Sequence, residues 1–121
     1  MCAKLPMAAD GIVRLSKIEV YPEYLEEYMK YATEVGEVSL RTEPGVLTMY
    51  AVSEKENPGR ITILETYASQ EAYKSHIASE HFKSTSKERC TWLRLSYSLT
   101  KCRLTPQIAL ITSFNKRNDY E

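Results

Sequence analysis

The sequence has little glycine and no excess charge of either sign. Four glycines occur in 121 residues, and 16 Lys and Arg residues balance 16 Asp and Glu residues. Loops that hold phosphate groups depend on clustered glycines, so we expect no nucleotide-binding loop. A neutral chain has no net electrostatic attraction to nucleic acid or to an anionic membrane. We therefore expect neither a nucleic-acid nor a membrane partner.

Cysteine is sparse and no long apolar run occurs. Cys2, Cys90 and Cys102 follow no metal-ligand spacing, and an odd number gives no disulfide framework. No segment has the roughly 20 apolar residues of a membrane-spanning helix, and no charged and then apolar leader precedes the domain. We expect a cytoplasmic protein. Because Cys2 directly follows Met1, a periplasmic location or a lipoprotein is the alternative if a leader is missing before it.

Phenylalanine is also rare, and tyrosine takes its place: nine Tyr stand against two Phe. A phenol combines an apolar ring with a hydrogen-bonding tip. This combination suits a pocket for a polar aromatic ligand, and it equally suits half-buried positions at the surface. Composition alone leaves both interpretations open.

The hydrophobic pattern predicts one domain with four strands and two helices. Strands are expected at 11–20, 46–52 and 60–67 and within 87–99, with helices at 22–40 and 69–84. The order β-α-β-β-α-β is the ferredoxin-like α+β unit with an antiparallel sheet. We place this domain at 11–104, between tails at 1–10 and 105–121. Two helices on one face would leave the other sheet face bare, so we expect a homodimer formed sheet to sheet.

Glu65 places a carboxylate on an otherwise apolar strand face, in alternation with Ile61 and Ile63. A buried charge needs a partner or a function. In a dry pocket its pKa would rise, which would make it a candidate acid or base. The alternative is a structural ion pair across the sheet with Arg14 or Arg60.

Histidine offers a second candidate for proton transfer. His76 lies one turn from Tyr73 on the predicted inward face of the second helix, and imidazole titrates near physiological pH. The alternative is a packing residue. His81, five residues on, would lie about 140° around a continuous helix. We therefore expect no metal site shared by the two histidines, and we assign His81 to capping or to an interface.

Three tyrosines complete the candidate site. Tyr50 and Tyr67 fall on neighbouring predicted strands and could line one cavity with Tyr73, or they could be core residues with solvent-reaching hydroxyls. The sequence has no nucleophile-and-base pair and no flavin or nicotinamide fingerprint. We expect no cofactor of those kinds.

These residues together resemble the antibiotic biosynthesis monooxygenase family, small proteins of the dimeric α/β-barrel type that include quinol monooxygenases. The resemblance covers roughly 11–83 and lies in the turn Glu43-Pro44-Gly45-Val46, Tyr50, the strand end Glu65-Thr66-Tyr67 and the helix His76–Phe82. It implies a cofactor-independent monooxygenase that oxidises a small quinol or phenol with dioxygen. His76 or Glu65 would be the base, and Tyr50, Tyr67 and Tyr73 would orient the ring and stabilise the oxyanion.

The resemblance also leaves other functions open. One alternative is a non-catalytic dimeric ligand-binding or stress-associated domain of the same fold. A third is haem binding, in which an imidazole or a neighbouring aromatic group would contact the iron. The same fold carries several chemistries, so these alternatives stay separate until the site is known.

After Lys83 the resemblance ends. The family normally continues into a strand containing Thr-x-x-Met-Val-Lys, and this chain does not. Read one base earlier with permitted codons, 84–94 can encode Lys-Tyr-Lys-Gln-Arg-Thr-Leu-His-Met-Val-Lys. We therefore hypothesise that this region is a frameshifted version of the last strand. The alternation of Leu93, Leu95, Tyr97 and Leu99 is expected to fill that strand's place.

Overall fold

The computed structural model describes the backbone of residues 2–102 and 113–117 and the side chains of residues 2–99. A 3-10 turn at Pro22–Tyr24 precedes the first α-helix. The helices are α1 (Leu25–Thr42), α2 (Gln70–Ile77), α3 (Glu80–Lys83) and α4 (Ser86–Trp92). The strands are β1 (Ile12–Val20), β2 (Val46–Ser53), β3 (Arg60–Tyr67), β4 (Leu93–Cys102) and β5 (Ser113–Arg117).

The strands form one antiparallel sheet in the order β2-β3-β1-β4-β5. The first four strands have the order of a ferredoxin-like domain, which confirms the predicted α+β fold. β4 pairs with β1 over most of its length, so the segment after Lys83 does supply the fourth strand. β5 pairs with β4 and falls within 105–121, where we expected only a tail.

Local sequence explains where the two main helices begin. Glu26 and Glu27 lie in the first turn of α1, where negative charge interacts favourably with the helix dipole. Ser69 caps α2, and its Oγ accepts a hydrogen bond from the Ala72 backbone N–H over 3.1 Å. The helices pack on one face of the sheet, and alternate β1 residues are buried beneath them. These are Ile12, Arg14, Ser16, Ile18 and Val20.

The core lies between that helix-covered face and the helices, in two clusters. The larger cluster joins Ile18 and Val20 to Tyr28 of α1 and to Trp92 and Leu93. The smaller cluster is formed by Ile12, Val46 and Tyr67, with Leu40, Met49, Ala72 and Tyr73 packed against it. The two clusters leave space between them under α1, where the candidate site lies.

β2 is an edge strand of the sheet, with one face toward the helices and the other toward the open side. Tyr50 pairs with Leu64 on the open face of the sheet, opposite the helices. Their side chains are 66% and 38% exposed, and that of Val52 is 54% exposed. The apolar residues of this strand on the open face are therefore largely exposed.

The second predicted helix is interrupted, which corrects the expected helix at 69–84. α2 ends at Ile77, and the backbone N–H and the hydroxyl of Ser79 both donate to the His76 carbonyl oxygen, over 3.1 and 2.6 Å. A serine that binds a nearby carbonyl competes with the helical hydrogen-bond ladder. α3 begins only at Glu80, so His76 and His81 do not lie on one continuous helix.

The fourth strand begins at Leu93, the first residue of the predicted alternation, and a short helix precedes it. Residues 86–92 form α4, and the β1–β4 register shifts between Glu19 and Val20. Leu93 therefore pairs with Val20 in the buried core, whereas Leu95 pairs with Glu19 on the opposite face. The alternation of leucines is thus divided between the two sides of the sheet by an irregularity of the bulge type.

The predicted N-terminal tail lies against the domain. Backbone N–H groups of Cys2, Leu5 and Ala8 donate to carbonyl oxygens of Arg41, Pro44 and Ala68. Lys4 Nζ donates to the carbonyl oxygens of Leu40 and Glu43, over 2.7 and 3.0 Å. A cation at this position complements the C-terminal end of α1. Within residues 2–102 and 113–117, no helix combines the length and apolar character needed to cross a membrane.

Candidate active site

A cavity of about 380 Å³ lies between α1 and the helix-covered side of β2 and β3. Most of its wall is apolar, and Glu65 and His76 are among the polar side chains that border it. Pockets for small ligands combine such apolar walls with a few polar groups and have volumes of a few hundred Å³. Two of the predicted site residues therefore meet at one cavity that suits a small aromatic molecule.

Glu65 is held by two groups of the sheet. Arg14 lies directly across from it on β1, with Nη1 at 3.6 Å from Glu65 Oε2. Tyr67, two residues along β3, donates its hydroxyl to Glu65 Oε1. The ion pair with Arg14 that we considered as an alternative is thus present, whereas Arg60 pairs with Glu19 over 3.3 Å. Glu65 is both a partner in a buried network and part of the cavity wall.

Tyr67 is fully buried and remains a neutral phenol. Burial raises the pKa of its hydroxyl far above the usual value of 10, and the negative charge of Glu65 and the hydrogen bond to it act in the same direction. Its ring centroid lies 5.1 Å from Tyr73 and 5.5 Å from His76. Among the described residues, Tyr67 and Tyr73 pack behind the cavity wall and do not border the cavity. Tyr50 lies on the edge strand beside the cavity, but its side chain is on the open face of the sheet and is 66% exposed.

His76 is 2% exposed and its Nδ1 lies 3.0 Å from Glu43 Oε2. Burial raises the pKa of Glu43, but the hydrogen bonds and positive charge of His76 and His81 outweigh that effect, and the net pKa lies below the usual value. An ionised carboxylate only accepts hydrogen bonds. In the neutral form of His76, the ring proton is therefore on Nδ1 and the lone pair on Nε2.

His81 lies beside His76, and our placement of it away from that residue was wrong. Its Nε2 is 2.6 Å from the same Glu43 Oε2, and the two imidazole centroids are 6.0 Å apart. The angular argument assumed one continuous helix, and the interruption between α2 and α3 removes that assumption. The three ligand atoms of Glu43, His76 and His81 all lie within 4.8 Å of one another, which is compatible with a shared metal ion.

Glu43 is the site residue that sequence reasoning missed. It was interpreted only as part of the turn after α1, because its histidine partners lie 33 and 38 residues further along the chain. One signal was available. Glu43 is the C-cap of α1, where a negative charge is disfavoured by the helix dipole. A carboxylate at such a position indicates a specific positive or hydrogen-bonding partner.

Fold and cavity together define a small ferredoxin-like domain with a carboxylate and imidazole pair at the edge of an apolar pocket. The model of the antibiotic biosynthesis monooxygenase family matches residues 11–88, and the chain belongs to that family. The match begins where we expected the domain to begin and extends five residues beyond the predicted end of the resemblance.

Solved structures support this assignment. A protein from Bacteroides thetaiotaomicron, named as a candidate antibiotic biosynthesis monooxygenase, is 46% identical, with a TM-score of 0.73 over 86% of this chain and 96% of that one. A candidate monooxygenase from Lactobacillus acidophilus is 25% identical, with a TM-score of 0.75 over 89% of this chain and 52% of its own. A Nitrosomonas europaea protein, 18% identical with a TM-score of 0.71 over 84% of this chain and 98% of its own, shows the shared fold. No curated protein matches the chain.

Proposed function

We propose that this protein is a monooxygenase that oxidises a small quinol or phenol with dioxygen, and that His76 is the base. The observation that carries the proposal is the dyad of Glu43 and His76 at the cavity wall. A carboxylate that binds one imidazole nitrogen fixes the tautomer and stabilises the imidazolium formed when the other nitrogen accepts a proton. Family membership and the names of the related structures support the same chemistry.

The proposed reaction begins with proton transfer from the substrate hydroxyl to His76. The resulting anion is electron-rich and transfers an electron to dioxygen, and the two radicals combine within the cavity. One oxygen atom enters the ring as a carbonyl oxygen and the other leaves as water, so the substrate supplies the electrons. No flavin or metal takes part in these steps. The apolar wall keeps water from competing for the intermediates.

The tyrosines would have unequal roles. Tyr50 would not contact a substrate in this cavity, because its side chain lies on the open face of the sheet, on the other side from the cavity. Tyr67 and Tyr73 would act indirectly. The Tyr67 hydroxyl donates a hydrogen bond to Glu65, and the Tyr67 ring packs against the rings of Tyr73 and His76. Glu65, held by Arg14, would orient the substrate through a hydrogen bond.

Oxygen consumption with a panel of quinols and phenols tests this function. In His76→Asn the amide nitrogen retains a donor for Glu43 but the base is lost. We expect turnover to fall by roughly 10²- to 10⁴-fold, the usual contribution of a general base. Lys74→Ala, an exposed change on the same helix, is the matched control and should leave turnover unchanged.

Unchanged turnover in a folded His76→Asn variant would move the role of base to Glu65. Ligand binding by the wild type without oxygen consumption would instead favour a non-catalytic binding domain. A Soret band on titration with haem would favour a haem-binding protein.

We also propose that the open face of the sheet pairs two chains. Tyr50, Val52 and Leu64 make this face apolar and exposed. Exposed apolar surface of this kind is typical of protein interfaces. Leu64→Glu should convert a dimer into a monomer in size-exclusion chromatography with light scattering, because it would bury a charge without a partner. Lys74→Glu, on the helical side, should remain dimeric, and a monomeric wild type would contradict the proposal.

A further inference from the structure

Glu43, His76 and His81 form a cluster that the proposed reaction uses only in part. The three residues come from separate elements: the residue after α1, the last turn of α2, and α3. His76 Nδ1 and His81 Nε2 both face one carboxylate, at 3.0 and 2.6 Å. The base needs the first of these contacts. The second imidazole has no part in that chemistry.

The distances in this cluster match those of a metal-binding site. With metal–ligand bonds of about 2.0–2.2 Å, neighbouring ligand atoms lie roughly 3.0–3.5 Å apart in octahedral or tetrahedral sites. The contact of His76 to Glu43, at 3.0 Å, lies in that range, the contact of His81, at 2.6 Å, is shorter, and all three ligand atoms lie within 4.8 Å of one another. Small rotations of the side chains would bring the two nitrogens to one ion.

The surroundings of the cluster favour binding of an ion from solution. His76 is almost fully buried, whereas the side chains of Glu43 and His81 are 17% and 22% exposed. One side of the cluster is therefore fixed in the interior and the other is accessible. The Phe82 ring packs against His76 with centroids 5.2 Å apart, which restricts the orientation of that imidazole. Such fixed ligands reduce the ordering required when a metal binds.

We propose that Glu43, His76 and His81 form a binding site for a divalent transition-metal ion. Two imidazoles and one carboxylate are a ligand set used for Zn²⁺ and Fe²⁺, with the remaining positions left to water or to an anionic ligand. The site is assembled by the helix interruption at Ser79, which brings His81 to the side of His76. A metal on His76 Nδ1 would move the imidazole proton to Nε2, so the ion and the proton-accepting form of His76 exclude each other.

Titration of the untagged, chelator-treated full-length protein with Co²⁺ tests the site without any substrate. Visible absorption of bound Co²⁺ reports the ligands, and Zn²⁺ should displace it. We expect one ion per chain. Loss of a residue that only supports a metal ligand lowers metal affinity by roughly 10- to 100-fold. His81→Ala removes a ligand and should lower the affinity for Co²⁺ by more than that, and Glu43→Gln should also lower it. Glu80→Gln, an exposed carboxylate of α3, is the matched control and should bind like the wild type.

Two outcomes would overturn the metal site. One is a wild-type protein that binds neither Co²⁺ nor Zn²⁺, which requires no variant to fold. The other is unchanged binding in His81→Ala, which would assign the ion to another group such as a cysteine thiolate. Metal binding without oxygen consumption would leave this site standing while removing the proposed monooxygenase function, so the two failures are distinguishable.

Discussion

The signature segment, Glu65–Phe82, and the following segment, residues 84–99, are held in the domain by different kinds of interaction. The signature segment contributes Glu65 and His76 to the cavity through specific polar contacts. The following segment is anchored by Arg89, which is 1% exposed and donates to the Tyr31 hydroxyl over 2.5 Å and to the Phe82 carbonyl oxygen. Its guanidinium also lies 4.2 Å from the centroid of the Phe82 ring.

This difference shows how unequally sequence constrains a scaffold and a site. The family match ends at residue 88, early in the following segment, yet β4 pairs with β1 and Leu93 enters the core. A strand position requires backbone pairing and apolar side chains, which many sequences supply. A site requires particular atoms at particular distances, so the signature segment has far fewer acceptable substitutes.

The frameshift hypothesis for the following segment stays a prediction. Buried Arg89 and Trp92, whose Nε1 donates to Glu27 over 3.3 Å, show that this sequence makes specific contacts of its own. Such contacts do not bear on how the sequence arose. The nucleotide sequence of the gene decides the question, because the expected peptide must be encoded in the adjacent reading frame.

Arg89→Ala should have the largest effect on stability among the changes considered for the two segments. It removes a buried guanidinium, its stacking on Phe82, and its hydrogen bonds to Tyr31 and Phe82. Hydrogen bonds from charged donors contribute about 1.5–3 kcal/mol, and a buried cation–π contact adds about 1–2 kcal/mol. We expect the free energy of unfolding in urea to fall by about 3 kcal/mol.

Lys87→Ala is the matched control for that measurement, since Lys87 is exposed on the same helix. Its effect should stay within about 0.5 kcal/mol. Equal, small losses for both variants would show that the following segment is held only by strand pairing. The comparison between the two segments would then lose its basis.

Tyr67→Phe should have a smaller, pH-dependent effect within the signature segment. At neutral pH it removes the hydrogen bond to Glu65, and we expect a loss of about 1.5 kcal/mol. Because the pKa of folded Tyr67 is raised above its unfolded value of about 10, its contribution is complete below pH 10 and is lost as pH rises further. The advantage of the wild type over the variant should therefore shrink above pH 10.

Urea denaturation of both proteins at pH 8 and at pH 10.5 to 11 measures this effect. The variant retains the other eight tyrosines, so their titration cancels in the difference. A difference in stability that is independent of pH would mean that Tyr67 ionises normally in the folded protein. The buried network of Glu65, Tyr67 and Arg14 would then be less isolated from solvent than its geometry indicates.

Much of the fold was predictable from local pattern. β1 and β3 have the expected bounds within one residue, because alternation and flanking turn residues act over short distances. The interruption after Ile77, the irregular pairing at Val20 and the strand β5 were not predicted. Each depends on contacts that periodicity does not encode: a serine side chain bound to a carbonyl, a register shift, and pairing between distant segments.

The candidate site was predictable in its members and only partly in its arrangement. Glu65 and His76 were identified from a charge on an apolar strand and an imidazole on an inward helix face, and both border the cavity. Glu43 and the position of His81 were not identified, since they depend on how three elements meet in space. Residue type and spacing within one element are visible in sequence, but convergence between elements requires the tertiary structure.

Ser69→Ala is expected to have the smallest effect on stability. It tests whether the N-terminal cap of α2 contributes to the position of the helix that carries His76. Loss of a serine N-cap costs about 1 kcal/mol, because the Ala72 backbone N–H loses its acceptor. Thr85→Ala is the matched comparison in the following segment, where Thr85 precedes α4 without capping it through its side chain. The Thr85 hydroxyl accepts a 3.3 Å contact from Arg89, so Thr85→Ala should cost less than half as much free energy of unfolding as Ser69→Ala.

Thermal and urea denaturation of both variants measure the difference. Equal costs would mean that capping does not distinguish the two segments, and that the helix of the site is positioned by packing of Tyr73 and His76 against Tyr67 rather than by its N-terminal cap.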